Sequence, residues 1–76
     1  MCLGVPGKII ALLDNHMAIV DVEGNQMEIS LALLQEARAE QYVLIHAGFA
    51  MEIITEDVAE ETMYYLMEMQ KYANGA

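Results

Sequence analysis

Gln26-Met27-Glu28-Ile29-Ser30-Leu31 alternates polar and apolar residues without a break. Successive side chains of a strand point to opposite faces, so period two over six residues is the pattern of a half-buried β-strand. The apolar set here is Met27, Ile29 and Leu31. On the N-terminal side, Glu23-Gly24-Asn25 is turn chemistry and Met17–Val22 reads as a strand with Ala18, Val20 and Val22 on one face, which predicts a hairpin. Before it, Asp14-Asn15-His16 is a second turn, and Gly7–Leu13 reads as a buried strand.

On the C-terminal side the reading first divides. Leu33-Leu34 can extend the strand, while Gln35–Glu40 has helix-friendly composition but is too short to stand alone as a helix. Tyr42–His46 is a fourth strand, apolar on both faces until His46. Ala47-Gly48 permits a sharp turn, and Phe49–Ile54 is a fifth strand with Phe49, Met51 and Ile53 on one side. The period then changes. Thr55 is an N-cap candidate, and Glu56, Asp57 and Glu60 put negative charge at a helix start, where the dipole favours it. Asp57, Glu60, Glu61, Glu68 and Lys71 form a polar stripe. Val58, Thr62, Tyr65, Leu66, Met69 and Ala73 line another face, and Ala59, Met63 and Met67 widen its apolar arc. Asn74-Gly75 ends the helix. The expected architecture is mainly β with a C-terminal helix: a small OB-like β-barrel over residues 1–54 and one α-helix over 55–74, in a single domain spanning 1–76.

Size and charge narrow the function. A chain of 76 residues buries a small share of its surface, so a deep internal substrate pocket is not expected, and any chemistry should lie at an edge or be completed by a partner. Three Lys+Arg against twelve Asp+Glu give a net charge of −9, which argues against nucleic acid and against an anionic membrane surface. The hydrophobic share of 57% and mean hydropathy of +0.31 set the chain apart from disordered acidic tails. The acid is unevenly placed. Residues 1–13 carry only Lys8, and all twelve carboxylates come from Asp14 onward. The start, Met1-Cys2-Leu3-Gly4-Val5-Pro6-Gly7, lacks the basic region and long apolar run of a signal peptide, and no stretch approaches the ~18 apolar residues of a membrane span. The expected location is the cytoplasm, with the single cysteine a free thiol.

Two residues stand out for chemistry. Any one cytoplasmic cysteine is more often a small hydrophobe than a reactive group. Cys2, however, comes directly after the initiator methionine, which is usually removed before a small residue. The mature chain would then start with an α-amine and a thiol on one residue; the ammonium favours the thiolate, and nitrogen and sulfur together can chelate a soft or borderline metal. A lone His at a strand end is more often structural, but His46 precedes Ala47-Gly48, where its ring can reach the surface. His16, in a polar turn, is assigned no role. One Cys and two His fall short of a structural zinc site. Cys2 and His46 can supply half of a coordination sphere if another protein supplies the rest. They can also be read as a thiol–imidazole nucleophile pair, the weaker reading because no other polar group is placed to orient the His. Seven Met, with Met63, Met67 and Met69 on the helix, fit a core filler or, collectively, a pliable partner-binding surface.

Met1-Cys2-Leu3-Gly4-Val5-Pro6-Gly7 resembles the N-terminal signature of the HypC/HybG/HupF family of NiFe-hydrogenase maturation chaperones, and Val43-Leu44-Ile45-His46-Ala47-Gly48-Phe49-Ala50 resembles its second signature, a hydrophobic strand ending in His-x-Gly-Phe-Ala. The likeness extends over the whole chain. It implies an OB-like barrel followed by a helix, and a scaffold rather than an enzyme. It implies binding to the iron–sulfur maturation protein HypD during assembly of the Fe(CN)2CO group, then association with the hydrogenase large-subunit precursor. The family's N-terminal cysteine falls on Cys2 and its motif histidine on His46, the expected iron ligands; Cys2, Leu3, Gly4, Val5, Pro6, Gly48, Phe49 and Ala50 are the expected partner-binding residues. Iron would be carried transiently as the Fe(CN)2CO moiety in complex with a partner, with no permanent cofactor. One departure is that Ala39-Glu40-Gln41 stands where the family often has a Val-Gly-Asp-type turn. The alternative is a generic acidic OB-like protein-interaction module without metal chemistry.

Overall fold

A computed structural model describes residues 4–75, with the backbone alone from residue 70 onward. Five strands precede one helix: β1 (Val5–Leu13), β2 (Met17–Val22), β3 (Asn25–Ser30), β4 (Tyr42–His46), β5 (Phe49–Ile54) and α1 (Glu56–Gly75). The strands close into a barrel in the order β1-β2-β3-β5-β4, with β1 pairing back to β4. All pairs are antiparallel except the short parallel contact of β3 with β5, Ser30↔Phe49. The barrel with a C-terminal helix expected from the sequence is thus the architecture found, and β2, β4 and β5 have the expected bounds.

The barrel closes around Ile9, Ala18, Val20, Ile29 and Val43, all essentially without solvent contact, with Leu31, Ala37, Ile45 and Ala50 completing the core. Ala18, Val20 and Ile29 lie inward as the alternation requires. Met27 is the exception in its strand: it is exposed, because β3 meets β5 only at Ser30↔Phe49 and the wall beside Met27 has no facing strand. Two bulges redirect other side chains. Between Ile9 and Ala11 the β1–β2 register shifts, and Ile10, Leu12 and Leu13 are exposed, so the expected buried strand is buried only in its first half. Between Leu44 and Ile45 the β4–β5 register shifts by one residue at Met51. Ala50 and Ile53 then face the core, while Phe49 and Met51, grouped with Ile53 on sequence grounds, are exposed.

The ambiguous segment is neither strand nor helix. Residues 32–40 form successive turns, held by Leu34 N–H to the Leu31 carbonyl (3.0 Å) and Ala37 N–H to the Leu34 carbonyl (3.0 Å). Leu31 and Ala37 are buried and Leu34 packs against them, so the turns cap one end of the core. The last turn enters β4 with Glu40 at φ +76°, the left-handed conformation a glycine would adopt freely. Glu40 N–H donates to the Ile9 carbonyl and Ile9 N–H to the Gln41 carbonyl, each 2.8 Å. The tight turn is therefore formed here with glutamate in the conformation that favours glycine.

Thr55 caps α1: its hydroxyl oxygen accepts from Val58 N–H at 3.3 Å, and its carbonyl accepts from Ala59 N–H at 2.9 Å. The helix lies against β1 and β4 with Ala59, the one helix residue fully buried among the described residues, at the contact. Small size at this position lets the helix backbone approach the sheet. Tyr42 Oη lies 3.5 Å from Glu56 Oε2, linking β4 to the helix start. Among the described residues no helix is long and apolar enough to cross a membrane.

Candidate functional site

The site forms where β1 begins and β4 ends. Val5 pairs with Ile45 and Pro6 with Leu44 in antiparallel register, so the next step outward sets Gly4 level with His46. Pro6 is tolerated in the strand because β1 has one paired neighbour there; its pairing with β2 starts only at Lys8. Gly4 is buried, and a Cβ on it would overlap Leu44 Cγ and lie 2.9 Å from both Leu44 methyl carbons. Beyond Leu44 the space opens toward α1: Gly4, Leu44, Tyr65, Leu66 and Met69 border one groove of about 320 Å³. Gly7 is similarly constrained, since a Cβ there would lie 2.7 Å from Ile45 Cδ1.

His46 is exposed at the end of β4. The loop after it has two central residues, Ala47 at φ +53° and Gly48 at φ +84°, the type I′ geometry that matches strand twist. A Cβ on Gly48 would meet nothing within 4 Å, so this glycine serves conformation and not space. Its carbonyl accepts from Ser30 N–H at 2.9 Å, beside the Ser30↔Phe49 bridge. The turn carrying His46 is therefore fixed to β3 as well as to β4, which holds the rim in place. His16 is on the same rim only through its backbone: its carbonyl accepts from Leu31 N–H at 2.6 Å, and its side chain is exposed.

The sequence-derived residues divide clearly. Val5, His46, Gly48 and Phe49 are exposed, Phe49 by 41%; Gly4, Pro6 and Ala50 are buried, and Cys2 and Leu3 lie outside the described residues. Among the described residues no three His, Cys, Asp or Glu side chains group as metal ligands. Leu44 and the helix residues Tyr65, Leu66 and Met69 were not singled out as a unit by the sequence. Leu44 reads there as one more strand hydrophobe, and nothing in the periodicity shows that its outward face is roofed by a helix about 20 residues away.

The sequence model of the HupF/HypC family matches residues 1–66. The chain belongs to the HupF/HypC family. The match takes in the barrel, the His46 turn and the helix as far as Leu66, which are the parts that build the rim. Among similar proteins, hydrogenase maturation factor HypC of Synechocystis is 38% identical over 74 residues, covering 91% of this chain and 97% of its own. HypC of Helicobacter hepaticus is 39% identical over 79 residues, covering 97% and 92%. Hydrogenase maturation factor HybG of Escherichia coli is 40% identical over 75 residues, covering 91% and 92%. These HupF/HypC relatives are matched along nearly their whole length.

Proposed function

We propose that this hydrogenase maturation chaperone works as a scaffold that offers half of an iron site. Cys2 and His46 hold part of the Fe(CN)2CO group while it is assembled on HypD, and HypD supplies the remaining contacts. The chaperone then carries its part of the exchange to the precursor of the NiFe-hydrogenase large subunit. It acts in the cytoplasm and is not itself an enzyme.

The observation that carries this reading is the register of β1 on β4. It sets Gly4 of the N-terminal signature level with His46 of the second, and Cys2 is two positions before Gly4 in the sequence. A thiolate and an imidazole from the two sequence signatures can thus reach one iron. A thiolate is a strong, soft donor and a neutral imidazole a borderline one, a pair suited to low-spin iron that already carries cyanide and carbon monoxide. Two donors bind too weakly to retain the group, and that favours transfer. The exposed Phe49 and Val5 beside the rim supply apolar area for a protein that completes the site.

The test is co-purification of the full chain with HypD, with iron content and the cyanide and CO infrared bands measured on the complex. Cys2→Ala should lose the complex or its iron while the circular dichroism spectrum is kept. His46→Ala should retain the complex with less iron or with shifted bands. A Cys2→Ala chain that still binds HypD and supports maturation would refute the scaffold reading. Unchanged iron and bands in both variants would refute the iron assignment alone.

A further inference from the structure

The second flank of α1 carries a groove that includes neither Gly4 nor His46 and meets the rim only through Pro6 and Gly7 of β1. It has a volume of about 430 Å³, within the range of ligand-holding clefts, and runs between the helix and the β1–β2 edge. Pro6, Ala59, Met63 and Met67 make its apolar floor. Met67 and the neighbouring Tyr64 are 53% and 61% exposed, so this face of the helix is wet in the isolated chain. Its rim is acidic: Asp21 and Glu23 border it from β2 and the turn after it, and Glu60 from the helix. One cation, Lys8, lines the groove with Tyr42; its Nζ lies 3.6 Å from Glu40 Oε1 and 5.9 Å from the centre of the Tyr42 ring, so three carboxylates outnumber it at the rim.

We propose that this groove receives an apolar segment of a partner protein that carries Lys or Arg at its edges. The Met-lined floor accepts apolar side chains of varied shape. The three carboxylates select the sign of the flanking charge and speed encounter. A second copy of this chain is a poor occupant, because twelve acids against three Lys+Arg bring like charge to an acidic rim. The inference is independent of the iron reading, since neither Cys2 nor His46 takes part.

The experiment uses the full chain labelled with nitrogen-15 and two 14-residue amphipathic peptides, one of Leu and Lys and one of Leu and Glu. The Leu–Lys peptide should shift amide resonances at residues 7–8, 21–23 and 59–67, and the Leu–Glu peptide should not bind. The triple variant Asp21→Asn, Glu23→Gln, Glu60→Gln should weaken binding at least tenfold. A control with the same charge change placed elsewhere, Glu28→Gln, Glu36→Gln, Glu61→Gln, should weaken it less than threefold. Met67→Ser should weaken it as well, with the circular dichroism spectrum of every variant unchanged. Equal losses in the two triple variants would mean general charge attraction and would overturn the proposal. Shifts confined to other residues, equal binding of the Leu–Glu peptide, or a second copy occupying the groove in sedimentation would overturn it too.

Discussion

Replacing Gly4 by alanine would put a methyl group into space that the Leu44 side chain already fills. Leu44 is the side chain that must move, and it can shift only toward the groove it shares with the helix residues Tyr65, Leu66 and Met69. Inserting a methyl group where a neighbouring side chain must shift costs about 1–3 kcal/mol. For a domain of this size each kcal/mol lowers the melting temperature by about 4–8 °C, so Gly4→Ala should melt roughly 5–20 °C below the parent. The cause can be isolated with a second change. Leu44→Ala alone should cost about 1–2 kcal/mol, less than the range of a fully buried leucine, because Leu44 is half-buried. In the double variant the new methyl group enters the volume Leu44 has vacated, and the cost of Gly4→Ala should almost vanish. Urea unfolding of the four proteins should therefore give a coupling of at least about 1 kcal/mol, with the double variant more stable than the sum of the singles. Additivity within about 0.5 kcal/mol would refute the claim that Gly4 is glycine on account of Leu44.

Glu40→Gly should raise stability slightly, by less than about 1 kcal/mol. Relief of a left-handed non-glycine residue, about 1–2 kcal/mol, is partly offset by glycine's larger unfolded entropy, about 0.5–1 kcal/mol. Loss of the exposed Lys8–Glu40 ion pair adds little. Glu40→Ala removes the same ion pair without the relief, so a urea midpoint for Glu40→Gly below that of Glu40→Ala would contradict the reading. Thr55→Ala should cost about 0.5–2 kcal/mol and reduce the helical circular dichroism signal, because the cap hydroxyl accepts from Val58 N–H. Ile29→Ala should cost about 2–5 kcal/mol, enough to leave a small domain partly unfolded at about 37 °C; a smaller loss in the urea midpoint would mean that the barrel collapses onto the gap. Intact mass of the purified chain should lack Met1, the condition for an amine and a thiol on one residue at position 2.

Much of the fold is legible because the strands alternate and the breaks between them carry turn residues. Met17–Val22 and Tyr42–His46 have the bounds that the pattern gives, and Thr55 marks the point where period two yields to 3.6. The misreadings share one physical origin. A bulge adds one residue to a strand and swaps the face of every later residue in that strand, yet leaves no mark on a run of apolar residues. Met51 sits at such a point, and so Ile53 faces the core while Phe49 and Met51, in step with it by sequence, are exposed. Positive φ is hidden in the same way. Glu23, Glu40 and Ala47 occupy conformations usually signalled by glycine or asparagine, and only the hydrogen bonds around them show what holds them there.

The pairing of the two signatures was visible as chemistry before it was visible as geometry. The two signatures lie about 40 positions apart, and the β1–β4 register is what sets Gly4 of the first level with His46 of the second. That register depends on Gly4, Pro6 and Gly7, each chosen by what its side chain must not do. Gly4 leaves space for Leu44, Gly7 leaves space for Ile45, and Pro6 sits where its missing N–H has no strand to serve. The small, uncharged composition of residues 4–7 is thus a packing requirement. The same requirement ties the rim to the helix: Leu44 fills the space beside Gly4 and borders the groove that Leu66 lines from α1, so a substitution that moves α1 should be felt at the start of β1.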